Sequence, residues 1–315
     1  MAANCPFPER IAGKTFFEWQ SRRLVFALLR YLPAGGQRGL TGLLKKIRRF
    51  VAVRSNHPLE LYLSDFDKSL VPEQVCLTHD VDWASCYSSF YGIAEVESDF
   101  GFKSTFNFLT GWQYRPRKKD IAKILEDGFE VGLHGREHDI AMGVRSKPSL
   151  RKMLSEARDV LGGVEVVRGF RTPALAISEP LLDVLDELGF LYDSSVAAWS
   201  PYCGLQAKVR PYRYPNRQIW LLPLSIQDDL LFREYQLSDD EALQVVKAVM
   251  AMVASAGGVF VFNGHPTILS EHKEFYLLFL HYLAEREVKV VTADKVIQGE
   301  IWKETRCPGA TIRHD

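Results

Sequence analysis

From residue 75 onward, short apolar runs alternate with longer amphipathic stretches, and Gly, Ser or Asp residues mark the changes. Val75-Cys76-Leu77-Thr78 predicts a buried strand, Ser89 to Phe100 a helix ended by Gly101, and Ser104 to Leu109 a second strand. Asp120 to Asp127 predicts a helix closed by Gly128. A strand follows over Phe129 to Leu133, then a helix over Leu150 to Leu161 closed by Gly162-Gly163. Val167 to Phe170 is strand-like, and Ser178 suits the N-cap of a helix over Glu179 to Leu188.

Ile219 to Ile226 is a further strand candidate. Ser238 and Glu241 form a capping box before a long helix to Ser255. Val259 to Phe262, His272 to Glu285 and Val288 to Val291 predict strand, helix and strand. Alternation at this spacing argues for parallel βαβ units. With roughly seven repeats, a closed or partly closed barrel fits better than an open sheet.

Four motifs fall where predicted strands end: Thr78-His79-Asp80-Val81-Asp82, His134-Gly135-Arg136-Glu137-His138, Arg171-Thr172-Pro173 and Asn263-Gly264-His265-Pro266. In a β/α barrel such ends meet on one face, where active sites are built. Asp82 with the His134/His138 pair supplies the His₂Asp set of a catalytic divalent metal. If a helix begins after the strand at 129–133, the four-residue spacing puts both imidazoles on one side. Two unrelated surface histidines are the plain alternative to that pair, and a helix cap is the plain alternative to the Asp-x-Asp.

Asp80 is the candidate general base and His265 the candidate acid, although a loop histidine before proline needs no function. Arg171 could orient Asp80 through a bidentate pair or make a structural ion pair. Asp228 and Asp229 could orient His265 or Arg171, or lie in a solvated turn. The inventory points to a metal-dependent hydrolase.

The composition is that of an ordinary globular protein, 47% hydrophobic and 25% charged, with a formal net charge of zero. The zero hides an uneven distribution: residues 1–56 hold eleven Lys/Arg against two Asp/Glu. Within them, residues 39–51 set Leu43, Leu44, Ile47 and Val51 at helical spacing between Lys45, Lys46, Arg48 and Arg49. That basic amphipathic pattern suits an anionic membrane surface, or a helix packed on the barrel with its charges in water. No nucleic-acid motif accompanies the charge. Five scattered cysteines without a C-x-x-C pair, and an N-terminus without a signal-peptide pattern, lead to the expectation of a cytoplasmic protein without disulfides.

The ordered motifs resemble the polysaccharide deacetylase family, the NodB-homology or carbohydrate esterase family 4 group. Thr78 to Asp82 is similar to its Thr-Phe-Asp-Asp-Gly motif, His134 to His138 to its His-Ser/Thr-x-x-His, and Arg171 to Leu175 to its Arg-x-Pro-x-Gly. Gly264-His265 is similar to its Leu-x-His, and Phe190 to Ser195 to its aromatic-x-Tyr-Asp-Ser stretch. Departures are His79 for Phe, Val81 with Asp82 for the second Asp, Gly135 for Ser/Thr, and Leu175 for Gly.

The resemblance covers roughly residues 73–295 and implies a distorted (β/α)7 barrel. The expected organisation is a basic helical extension at 1–70, a catalytic barrel at 71–300 and a tail at 301–315. It also implies metal-assisted hydrolysis of an acyl group, with Asp80 as base and a metal on Asp82, His134 and His138; His265, Arg171 and, from the residue reading above, Asp228 are the further candidate catalytic residues. Zn²⁺ is the expected ion, with Co²⁺, Ni²⁺ or Mn²⁺ as substitutes. The expected substrate is an N-acetyl or N-formyl amino sugar, nucleotide- or lipid-linked, in lipopolysaccharide or other surface-polysaccharide assembly. The alternatives are a catalytically inactive sugar-binding or scaffold barrel, and a hydrolase of small cyclic amides.

Overall fold

A computed structural model describes residues 69–197, 199–200, 204–205, 209–214 and 216–299. The basic segment at 39–51, nearly all of the extension at 1–70 and the tail at 301–315 lie outside the described residues. The strands are β1 (Gln74–Val81), β2 (Thr105–Leu109), β3 (Glu130–Gly135), β4 (Gly169–Phe170), β5 (Tyr192–Asp193), β6 (Trp199–Ser200), β7 (Gly204–Leu205), β8 (Tyr212–Arg213), β9 (Trp220–Leu221), β10 (Ile226–Gln227), β11 (Phe260–Gly264) and β12 (Lys289–Val290). The helices are α1 (Ala84–Asp99), α2 (Lys118–Glu126), α3 (Lys147–Val160), α4 (Glu179–Glu187), α5 (Asp239–Ser255), α6 (Pro266–Glu271), α7 (Lys273–Glu285) and α8 (Ala293–Gln298).

One sheet runs β10-β11-β1-β2-β3-β4-β5-β9-β8, with β12 beside β1 and β6-β7 as a separate hairpin. Its pairings are parallel except β8 with β9. Among the described residues the path does not close on itself, so the barrel is partly closed. Helices cover its outer face, where Phe90, Phe106, Phe108, Phe260, Phe262 and Phe279 belong to one apolar layer. A smaller cluster joins Cys76, Leu222, Leu224 and Val261 to Ala293, Val296 and Ile297 of α8.

Several boundaries differ from the sequence expectation for identifiable reasons. The strand expected over 219–226 is two strands far apart in the sheet order, broken at Pro223, which has no N–H to donate. The chain crosses there from β5 to β11. The His265-Pro266 step is not only a loop: Pro266 opens α6, a position where its missing N–H is harmless. Where the sequence was expected to cap helices, it does so. Ser178 Oγ accepts from the Leu181 amide at 3.3 Å, and Ser238 with Glu241 forms the full capping box.

Inward-facing positions follow from strand register. Thr78 pairs with Thr105 and Asp80 with Asn107, while Asn107 pairs with Gly132. Gly132 and Gly169 leave room for larger neighbours. A Cβ on Gly132 would lie 2.2 Å from Asn107 Oδ1, and one on Gly169 would lie 2.1 Å from the Tyr192 ring. Glycine on one strand thus admits the polar side chain of its register partner on the next.

Candidate metal and acyl-transfer site

β1 is buried along its whole length, and Asp80 lies within it rather than after it. Asp82 follows directly. Asp80 Oδ1 accepts from Asn107 Nδ2 at 2.9 Å and Oδ2 from Asn263 Nδ2 at 2.8 Å. Arg171 stands farther off, with Nη1 3.7 Å from Asp80 Oδ1. Its guanidinium donates instead to the Ser194 carbonyl, Ser194 Oγ and Thr78 Oγ1, at 2.8, 2.7 and 3.0 Å. Of the two readings the sequence allowed, the bidentate Arg171–Asp80 pair is absent because the fork is already occupied, and a looser buried ion pair remains. Burial opposes ionisation of Asp80, yet His134 and Arg171 outweigh it and hold the carboxyl below the usual range.

The His134/His138 pair also differs from expectation. No α-helix begins until Lys147, and the spacing is met by a strand end followed by a turn. Gly135, at φ 106°, makes that turn, and a Cβ there would lie 2.8 Å from Met142 Cε. This explains glycine at the position where the family motif has Ser or Thr. His134 Nε2 comes within 3.0 Å of Asp82 Oδ1, and His138 Nε2 within 3.3 Å of Asp82 Oδ2.

The proton inventory decides what this cluster fits. His134 Nδ1 lies 2.8 Å from the Arg171 carbonyl, which only an N–H can satisfy. In the neutral ring Nε2 then turns a lone pair toward Asp82, whose Oδ1 is buried without a hydrogen-bond donor. Two imidazole nitrogens and a carboxylate oxygen, all within 4.8 Å of one another, make a cluster whose donor set suits a divalent cation. A proton competes for the same place. Burial lowers the proton affinity of His134, but Asp80 and Asp82 overcome it and raise the pKa.

His265 borders the cluster, with Nε2 3.5 Å from Asp82 Oδ2. Asp228 accepts from the His265 amide through one oxygen and meets ring Nδ1 with the other, both at 2.6 Å. Burial disfavours the imidazolium, but the Asp228 charge prevails and raises the pKa well above the ordinary value. Of the two Asp residues considered from sequence, Asp228 therefore reaches His265, not Arg171. Trp83 lies along the cluster, its ring centroid 6.3 Å from that of His138 and 5.9 Å from that of His265.

Sequence reasoning missed Asn107, Asn263, Thr78 and Ser194 as supports of the site. A lone Asn in the otherwise apolar Thr105–Leu109 strand was the available signal. His79, on the outer side of β1, bonds Glu97 at 2.7 Å, and Glu97 also accepts from Ser104 and Tyr276. That buried network accounts for a histidine where the family motif has Phe. Leu175, in place of the motif's Gly, adopts φ 53° in the left-handed region.

Residues 67–192 match the family model described as polysaccharide deacetylase. No curated protein matches the chain. A Mycobacterium smegmatis structure assigned as a polysaccharide deacetylase aligns with a TM-score of 0.57 at 19% identity, over 71% of this chain and 88% of that one. A wild-type CE4 family pseudoenzyme from Bacillus anthracis aligns at 0.50 and 17% identity, over 72% and 66%. A mutant CE4 family pseudoenzyme with restored enzymatic activity gives 0.50 and 18%, over 72% and 68%. Residues 67–192 thus match the polysaccharide deacetylase model, as the motifs suggested, and the described residues share the deformed α/β barrel fold of the Mycobacterium smegmatis structure.

Proposed function

We propose that this protein is a metal-dependent hydrolase that removes an N-acetyl or N-formyl group from an amino sugar, a carbon–nitrogen bond other than a peptide bond. The observation that carries the reading is the Asp82/His134/His138 cluster, flanked by the asparagine-held Asp80 on one side and the Asp228-held His265 on the other.

A divalent cation on those three residues would polarise the acyl carbonyl and lower the pKa of water at the site from about 15.7 toward ~7. Zn²⁺ is the leading candidate for a His₂Asp donor set, with Co²⁺, Ni²⁺ or Mn²⁺ as substitutes that the same set accepts. Asp80, kept anionic by its surroundings, takes the proton from the attacking water. Asn107 and Asn263 fix its orientation, and Arg171 supplies positive charge behind it. Asp228 keeps His265 protonated with Nε2 toward the site, where it donates to the departing amine nitrogen. Trp83 shields that proton from solvent on one side.

The substrate we favour is a nucleotide- or lipid-linked amino sugar used in lipopolysaccharide or other surface-polysaccharide assembly, handled in the cytoplasm. No described helix is long and apolar enough to cross a membrane. The fold also serves pseudoenzymes, so a sugar-binding barrel without turnover is the competing reading. One experiment tests both: elemental analysis of the purified chain, alongside acetate and formate release from N-acyl amino sugars. Near-stoichiometric metal with acyl release supports the hydrolase. A chain that takes up no metal after supplementation and releases no acid would sink it.

A further inference from the structure

A cleft of about 530 Å³ opens between the segment that follows β2 and helix α3. Gly111, Trp112, Arg115, Arg136, Glu156 and Val160 are among its walls. Arg136 ties the cleft to the cluster, because it lies between His134 and His138 in the chain. Its carbonyl accepts from the Thr110 and Gly111 amides at 3.2 and 2.8 Å, which joins the two loops. A Cβ on Gly111 would stand 3.3 Å from Arg136 Cγ, so glycine lets the arginine stem lie close over the loop.

Two features mark these walls. Arg117, Arg145, Arg151 and Arg233 each meet a carboxylate. Among the described residues, Arg115 and Arg136 have no side-chain hydrogen bond or ion pair, although Glu156 lines the same cleft. Trp112 is 41% exposed, and it is the one aromatic among the exposed large hydrophobic side chains described. A flat ring exposed beside two guanidinium groups offers a stacking surface and a fork geometry that matches phosphate oxygens. The volume falls in the range of small-ligand sites.

We infer that this cleft is an anion subsite that receives a phosphate or diphosphate group carried by the substrate, with Arg115 and Arg136 as its donors and Trp112 as a stacking wall. That the anion belongs to the sugar being deacylated rests on the proposed function. The subsite itself does not. It favours a phosphate-linked sugar over a neutral glycan by charge-assisted bonds made away from the reacting carbonyl.

The test is calorimetric titration of the full-length chain with inorganic pyrophosphate, before and after treatment with a chelator. The expected result is one saturable site that survives chelation. Binding should weaken at least about tenfold in the R115Q/R136Q double variant and tighten in E156Q, since each removes a charge beside the anion. Thermal melts that match wild type would exclude misfolding, and E156Q reads the same site with the opposite sign. No saturable binding, or binding indifferent to these substitutions, overturns the inference. So does binding abolished by the chelator, which would place the anion on the metal cluster. Glucuronate bound more tightly than pyrophosphate would overturn the phosphate assignment in favour of a carboxylate. Metal content and acyl release are read separately, so failure here and failure of the hydrolase reading are distinguishable.

Discussion

Two buried polar clusters occupy opposite ends of the same barrel, and they differ in how their acceptors are satisfied. At the N-terminal strand ends, Glu130 lies among Thr105, Tyr192 and the start of α8. Tyr192 OH donates to Glu130 Oε1 at 2.9 Å, while Thr105 Oγ1 and the Asp294 amide donate to Oε2 at 2.7 and 3.0 Å. Every carboxylate oxygen there has a donor. At the C-terminal ends, two imidazole nitrogens converge on Asp82, whose Oδ1 is buried without a hydrogen-bond donor. A satisfied cluster closes a barrel; an acceptor-rich one calls for a cation.

The largest expected difference comes from removing the shared acid of each cluster. Asp82→Ala should strip the metal and lower acyl release by about 10³-fold or more, the scale seen when one member of a concerted group is lost. Elemental analysis and product assay together check this, and a variant that keeps both metal and full turnover would end the assignment. At the opposite end, activity should be insensitive while stability responds to pH.

Burial is the main cause that raises Glu130, helped by the Asp294 charge, to a pKa of about 7 against an ordinary 4.5. The folded state therefore holds the proton more tightly than the unfolded chain. The stability this contributes is fully present below pH 4.5 and is lost as pH rises through about 7. Glu130→Gln should remove that slope, a change on the order of 3 kcal/mol across the window. Urea midpoints compared at several pH values between 4.5 and 8 would measure it. An unchanged slope would show that Glu130 is not the titrating group.

Asp228→Asn should sharpen the contrast from the other side. Loss of the anion behind His265 should lower turnover by about 10- to 100-fold with metal content near wild type, the usual effect of a partner behind a functional histidine. Equal loss of metal and activity would move Asp228 into the cation's support. The smallest effect belongs to Tyr192→Phe, which leaves Glu130 Oε1 without its donor. A destabilisation of about 1–3 kcal/mol is expected, with acyl release unaffected. Thermal melting beside the activity assay separates the two readouts.

The legibility of these two clusters in the sequence was uneven. Motif order and strand-end position were enough to bring Asp80, Asp82, His134, His138 and His265 to one face, because parallel βαβ units have a fixed polarity. The manner of their meeting was not legible. The His134/His138 spacing suits a helix, but Gly135 at φ 106° makes a turn instead. Arg171 reads as a partner for Asp80, but its donors are taken by Thr78 and Ser194, residues far apart in the chain.

The Glu130 cluster was not read from sequence at all. Its members come from β2, β3, β5 and α8 and belong to no local pattern, so only tertiary packing assembles them. By itself the sequence determined the α/β alternation, the helix caps at Ser178 and Ser238, and the inventory of groups at the reactive face. Those features depend on periodicity and on bonds within a few residues. The tertiary structure decided where the barrel stays open, which asparagines hold Asp80, and which carboxylate reaches His265. Such choices are set by contacts between distant segments, whose register a linear pattern does not encode.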